Sequence, residues 1–243
     1  MRNRITRAIA DRASRLLARS CTVTAVEDIG GHRSIELTGD ALKRATWRPG
    51  DLVQVRTDPD GFASRTYTPM SWDRSRGSTQ LLAYTRGEGP GATWARTVRV
   101  GTAGQMVGPR RSVALDELDG RPLLFAGDET SFGTVAAWRN HQPGREPLAA
   151  IFEVTDAGES RTTLERIRLR DAWLFERTGT PVYLDEMSDA IIDGLRANPD
   201  AALCLTGLAQ TIAAVRHHLR RAGLAERTIR AKAYWDLHRS GLD

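Results

Sequence analysis

The chain has 243 residues, 40% apolar and 27% charged, which excludes a disordered or fibrous chain and suits one large domain or two of ordinary size. The formal charge is +5 and is carried by arginine, since Lys43 and Lys232 are the only lysines; arginine favours planar contacts to phosphate and carboxylate, but so small an excess does not mark a nucleic-acid binder. Cys21 and Cys204 form no CxxC pair or disulfide framework, and the five histidines show no zinc-ligand spacing, so no protein metal site is expected and a reducing cytoplasm fits.

The opening stretch, MRNRITRAIADRASRLLARS, is basic and lacks the apolar run of a secretory signal. No window approaches the roughly 20 apolar residues that span a bilayer, so stable membrane insertion is not expected. Ile5, Ile9, Leu16 and Leu17 could line one face of a helix within residues 1–19. Such a helix could dock on the protein's own surface or rest on a membrane.

Short runs rich in β-branched residues follow: CTVTAVEDI, RSIELTG, DLVQVRT, SRTYTP and TQLLAYTR, with turn signals at Gly30-Gly31, Pro49-Gly50 and Asp60-Gly61. Strands so spaced predict a small Greek-key barrel, interrupted by a helix at GATWARTV and completed by a strand at GQMVGP. The rhythm then changes. RPLLFAGD, PLAAIFEV, DAWLFERT, AALCLTG and TIRAKAYW read as strands, and ETSFGTVAAWRN, residues 181–198 and LAQTIAAVRHHLRRAG as helices. Thr130 or Ser131 could cap the first of these helices. Alternating strands and helices predict a parallel sheet wrapped by helices. The expected division is a barrel over residues 20–118 and an α/β domain over 121–243, separated at DELDGRP.

In SRTYTP, strand alternation puts Arg65 and Tyr67 on one face and Thr66 and Thr68 on the other. A guanidinium beside an aromatic ring suits a ligand that carries both a phosphate and a flat ring system. Pro69 would end the ladder and open the backbone to the ligand. The bland alternative is a solvated barrel strand. In GEGPGATWA, small residues precede a helix start, where a close backbone approach and free N–H groups attract phosphate. Thr93 could add a hydroxyl there, and Trp94 reads as a core anchor. The carboxyl ends of the α/β strands, AGDETS and LTGLAQ, each place a Gly before a helix, where open α/β sheets bind ligands. Neither is a GxGxxG fingerprint or a P-loop.

Taken in order, RTYT, GPGATWA, GPRRS, AGDETS and AKAYW resemble the siderophore-interacting protein family, a branch of the ferredoxin–NADP reductase-like flavoproteins. The resemblance runs from about residue 20 to 240. It implies a bound FAD, with Arg65 on the pyrophosphate, Tyr67 stacked on the isoalloxazine and Thr68 near flavin N5. Gly91, Ala92 and Thr93 would hold the pyrophosphate through their backbone. Gly127, Asp128, Glu129 and Thr130 would lie beside NADPH or NADH, with Thr206 and Gly207 across from them. Tyr234 and Trp235 would end near the flavin or plug the domain interface.

The implied reaction passes electrons from NAD(P)H through FAD to a ferric siderophore and releases Fe(II), with Tyr67 and Thr68 at the flavin. Arg110, Arg111, Lys232 and Arg239 are candidates for a basic rim that attracts the anionic chelate. Arg161 or Arg166 could meet a 2′-phosphate, and a reduced ferredoxin is another possible donor. The family pattern is not kept throughout. Pro69-Met70 stands where an aliphatic residue and a cation are usual, which takes a charge from the proposed rim. Arg86 stands where His is frequent, and Arg111 where Gly is common. Two further readings remain open: a flavoprotein that feeds a partner enzyme or modifies an organic molecule, and a binding module without turnover.

Overall fold

The computed structural model describes residues 18–58 and 63–238. The predicted N-terminal helix, the Asp60-Gly61 turn and Arg239 lie outside the described residues. An antiparallel sheet forms the first half: β1 Arg19–Ile29, β2 His32–Thr38, β3 Leu52–Arg56, β4 Ser64–Tyr67, β5 Pro69–Asp73, β6 Ser78–Tyr84 and β7 Ala103–Arg110. Its order is β4-β3-β7-β1-β2-β6-β5. The two edges, β4 and β5, are therefore consecutive in sequence, and only Thr68 separates them. Helix α1, Pro90–Thr97, packs on β4 and β6.

Pro69 does not end the ladder. It opens β5, opposite Leu81 of β6, while Tyr67 ends β4 opposite Val53 of β3. Proline fits because β5 is an edge strand whose first residue needs no second ladder partner. Met70 is not on a rim either: it is 4% exposed and packs between the sheet and a helix of the second half.

That second half alternates as predicted. Strands β8 Leu123–Gly127, β9 Ala149–Val154, β10 Ala172–Glu176, β11 Ala202–Leu208 and β12 Ile229–Trp235 form a parallel sheet of order β10-β9-β8-β11-β12. Between them run α2 Phe132–His141, α3 Ala157–Arg166, α4 Val182–Ala197 and α5 Ala209–Arg221. Hydrophobic periodicity does not predict the helix at residues 157–166. That stretch is polar, with few apolar residues to show a period, and Asp156 starts it by accepting the Glu159 N–H at 2.8 Å. DELDGRP forms a 3-10 turn and bend between β7 and β8.

The burial pattern follows strand alternation. In β8 all five residues are buried: Leu123 and Phe125 face α2, and Leu124 and Ala126 face α4 and α5. In β6, Leu81 and Ala83 fill the barrel interior, while Leu82 turns outward into the cluster that holds Phe132 and Val135 of α2. Met70 joins that cluster, so the two sheets share one apolar core. Asn140 of α2 ties the seam by donating to the Met70 carbonyl at 3.0 Å.

On another side, α3 lies on the β1–β2 turn. Gly30 has φ +53°, and a Cβ there would sit 2.2 Å from the Glu159 carbonyl oxygen; only glycine allows this approach. Thr163 Oγ1 lies 2.8 Å from the Ile29 carbonyl oxygen, and Arg166 donates to both carboxylate oxygens of Glu27 at 3.1 and 2.8 Å. The second contact engages Arg166 with the barrel.

Candidate functional site

Strand order places a switch point between β8 and β11, since the chain runs outward from β8 through β9 to β10 and resumes on the other flank. Ligands of open α/β sheets bind outside the carboxyl ends at such a point. The barrel seam at Thr68 faces these ends. A cavity of about 440 Å³ lies between them, lined by β4, the start of α1, the β8–α2 turn and β12. A larger opening of about 620 Å³ lies at another part of the barrel, around Cys21, Trp94 and Gly104. The smaller cavity is the candidate site because Glu129 and four cationic side chains converge on it.

Arg65, Tyr67 and Thr68 all line this cavity, and so do Gly91 and Ala92, Glu129 and Thr130, and Lys232, Tyr234 and Trp235. Thr66 lines it too, so the two faces expected from alternation are not kept apart where β4 ends. The Tyr67 hydroxyl donates to the Gly91 carbonyl at 3.3 Å, and its ring tilts against Trp94 with centroids 5.5 Å apart. Burial pushes its phenol up. A Cβ on Gly91 would lie 3.2 Å from both Arg65 Cγ and the Tyr67 hydroxyl; glycine lets these two side chains approach the helix start. Helix α1 starts at Pro90 with no side chain capping its N-terminus. The N–H groups of its first turn are therefore without a side-chain acceptor, an arrangement suited to an anion; Arg65, whose Nη1 donates to the Ser64 carbonyl at 2.6 Å, lines the same cavity.

Other predicted residues stand elsewhere. The Thr93 hydroxyl accepts from Arg96 at 3.2 Å and does not line the cavity. Gly127, Asp128, Thr206 and Gly207 form a buried floor instead of a lining. A Cβ on Gly127 would come within 2.4 Å of the Thr206 carbonyl, and one on Gly207, at φ +111°, within 2.5 Å of Asp128 Oδ2. Asp128 is fully buried and caps the turn that precedes α2: it accepts the Thr130 N–H at 2.8 Å and the Trp235 indole N–H at 2.7 Å. Ser131 completes a capping box with Asp128, accepting the Asp128 N–H at 3.4 Å, and occupies the N-cap position of α2 without a side-chain cap bond there. Burial pushes the Asp128 carboxyl up to about 6.

The basic rim differs most from expectation. Arg111 turns to Glu117 at 2.5 Å and Asp116 at 3.3 Å, and neither Arg110 nor Arg111 lines the cavity. Of the three candidates among the described residues, Lys232 lines it. The other cations there are Arg65, Arg86 and Arg177. Arg86 donates to Glu159 of α3 at 2.9 Å.

Sequence reasoning misses Arg177, although it directly follows β10, at a carboxyl strand end. It donates to Glu129 Oε1 at 3.0 Å and Thr155 Oγ1 at 2.9 Å, and its Nε lies 3.4 Å from Glu153. Burial opposes charge on both partners, yet Glu129 holds the guanidinium charged. Arg177 and the Thr155 N–H, at 2.6 Å, hold the Glu129 carboxyl below the usual range.

Tyr234 fills the last side. The Thr68 hydroxyl donates to its phenol oxygen at 3.2 Å, and Thr134 Oγ1 of α2 lies 2.7 Å from the same oxygen. His32, 2% exposed, locks the barrel to the second sheet. It stacks on Phe132 with centroids 5.1 Å apart, donates from Nε2 to the Glu129 carbonyl at 2.9 Å and meets Thr163 Oγ1 through Nδ1 at 3.1 Å.

Residues 121–238 match the model of the siderophore-interacting protein family, and residues 48–113 that of the siderophore-interacting FAD-binding domain. No curated protein matches the chain. Among solved structures, a siderophore utilization protein from T. fusca superposes with TM-score 0.71 at 20% identity, covering 93% of this chain and 95% of that one. The siderophore-interacting protein from Acinetobacter baumannii gives 0.70 at 15% identity, with 92% of each chain covered. The ferredoxin reductase of carbazole 1,9a-dioxygenase gives 0.71 at 15% identity, covering 89% of this chain and 68% of that one. At these identities the likeness establishes a ferredoxin reductase-like fold.

Proposed function

Because the chain belongs to the siderophore-interacting protein family, we propose that this flavin oxidoreductase takes electrons from NAD(P)H through FAD and delivers them to a ferric siderophore, releasing Fe(II). The observation that carries this reading is the shared cavity: the Arg65–Thr68 strand, the uncapped start of α1 and the switch point of the parallel sheet all open onto it.

FAD fits the residues present. Arg65 and the N–H groups of Gly91 and Ala92 would neutralise its pyrophosphate. Gly91 leaves the backbone approachable, and Tyr67, braced by Gly91 and Trp94, offers a ring to the flavin. Thr68 would meet the flavin edge near N5. Bound FAD would accept two electrons together and release them singly, which a one-electron ferric acceptor requires. The protein's part is placement and electrostatics. Residues 20–118 would hold the flavin and 121–243 the nicotinamide nucleotide, with Glu129 and Thr130 beside it.

The acceptor would approach the open side of the cavity, where Lys232 adds positive charge, Arg86 being paired with Glu159. Hard anionic oxygen ligands prefer Fe(III), so reduction loosens the chelate. NADPH and NADH both remain candidate donors. Arg166 pairs with Glu27 on the surface of the barrel.

The test is anaerobic titration of the FAD-loaded protein with NADPH and NADH, followed by addition of a ferric siderophore. Flavin bleaching, then reoxidation faster than in buffer, is the expected result. Bleaching without faster reoxidation by any ferric chelate removes the siderophore and leaves an electron supplier to a partner enzyme.

A further inference from the structure

Three hydroxyls from three parts of the fold meet beside the cavity. Thr68 belongs to the barrel seam, Tyr234 to β12 and Thr134, fully buried, to the first turn of α2. Thr68 donates to the Tyr234 phenol oxygen, and that oxygen lies 2.7 Å from Thr134 Oγ1. Burial pushes the phenol up to about 12, so it keeps its proton. A phenol that accepts from Thr68 has one proton of its own to place, and Thr134 Oγ1 stands ready to accept it. The single proton of Thr68 is then committed to the phenol. What Thr68 turns to the cavity is a pair of lone pairs.

Thr68 has little freedom to do otherwise. It links β4 to β5, which pair with different strands. Its carbonyl packs against α2 close enough that a Cβ on Gly133 would come within 3.3 Å. The backbone is fixed by the seam and by the helix, and the hydroxyl by the phenol.

We propose that Tyr234 is a positioning residue that holds the Thr68 hydroxyl as a hydrogen-bond acceptor toward the ring edge of the bound flavin. This rests on the flavin reading above. The edge nitrogen N5 carries a lone pair in the oxidised ring and an N–H after two-electron reduction. An acceptor hydroxyl repels the first and binds the second, so Tyr234, acting through Thr68, favours the reduced cofactor and raises its two-electron potential.

Tyr234→Phe keeps the ring and its packing and removes only the oxygen, which leaves Thr68 free to rotate and donate. FAD should stay bound. The preference of the protein for reduced over oxidised flavin should fall about tenfold, which for a two-electron couple is a potential lower by about 30 mV. Equilibration of the bound flavin with reference dyes reads this without turnover. In a Thr68→Val background the same Tyr234→Phe change should shift nothing further.

Thr134→Val gives an independent variant should Tyr234→Phe fold poorly. The phenol proton loses its acceptor and turns toward Thr68, so the potential should again fall. An unchanged potential in flavin-loaded Tyr234→Phe or Thr134→Val protein overturns the proposal. So does an equal shift in the Thr68→Val background, which would mean that Tyr234 acts on the ring directly. Wild-type protein that takes up no FAD shows a separate failure, that of the flavin reading itself, and the proposal falls with it.

Discussion

Replacing His32 by glutamine should produce a penalty that depends on pH in a direction the structure fixes. Burial pushes the imidazole down from 6.5 to about 4, against weaker support from the Glu129 carbonyl and nearby carboxylates. In the unfolded chain it titrates near its ordinary value. As pH falls below about 6.5, the unfolded chain takes up a proton that the folded chain refuses, so His32 withdraws stability until about pH 4. Each tenfold change in proton affinity is worth about 1.4 kcal/mol, so the full span is worth about 3 kcal/mol.

Asp128 acts in the opposite sense. Burial raises its carboxyl from 3.8 to about 6, so below about pH 6 the folded chain takes up its proton first and gains stability. That contribution is also about 3 kcal/mol, and the two nearly cancel in the wild type. In His32→Gln, glutamine can keep a donor for the Glu129 carbonyl but loses the stack on Phe132, a penalty of about 2 kcal/mol at neutral pH. Urea unfolding, followed by fluorescence at one fixed FAD concentration, gives the penalty at about pH 7.5 and about pH 4.5. It should shrink by about 2 to 3 kcal/mol between them, because only the wild type still carries the imidazole. A penalty equal at both pH values, to within about 0.5 kcal/mol, would refute a neutral, buried His32.

Three further outcomes are expected. Glu129→Gln leaves Arg177 with Glu153 as its remaining carboxylate in a nearly dry site; about 3 kcal/mol should be lost, read as a melting temperature lower by roughly 6–12 °C. Gly207→Ala forces a Cβ into the Asp128 carboxylate at a positive φ and should destabilise by about 2 kcal/mol or more, with a change in indole fluorescence as Trp235 loses its acceptor. Arg65→Ala should weaken FAD binding about tenfold or more in a flavin-fluorescence titration, whereas Arg111→Ala, a residue turned to Asp116 and Glu117, should stay within about twofold.

The strands and most helices are legible in the sequence because their periods are clean. β8 is apolar throughout and α4 repeats apolar residues at helical spacing. Helix α3 is not legible, since its polar face toward solvent and its few apolar contacts with the barrel leave no periodic signal. Within the site, Arg65, Tyr67, Thr68 and Gly91 can be read because one short strand and one helix start carry them. Arg177 and His32 cannot, because their neighbours in space are remote in sequence: His32 and Glu129 are 97 positions apart. The turn of Arg111 away from the cavity has a related cause. Arg111 and its carboxylate partners lie within six residues, but nothing in the sequence says that the turn after β7 folds back to bring them together.

The seam at Thr68 also limits how this chain can vary. Surface loops elsewhere could gain residues with little consequence, but the link between β4 and β5 sets the circumference of the barrel. One added residue there would let the two edges slide apart and would carry the hydroxyl away from Tyr234. Circular permutants opened between Tyr67 and Pro69 should lose the site even where both sheets still form, while those opened at Gly144 should keep it.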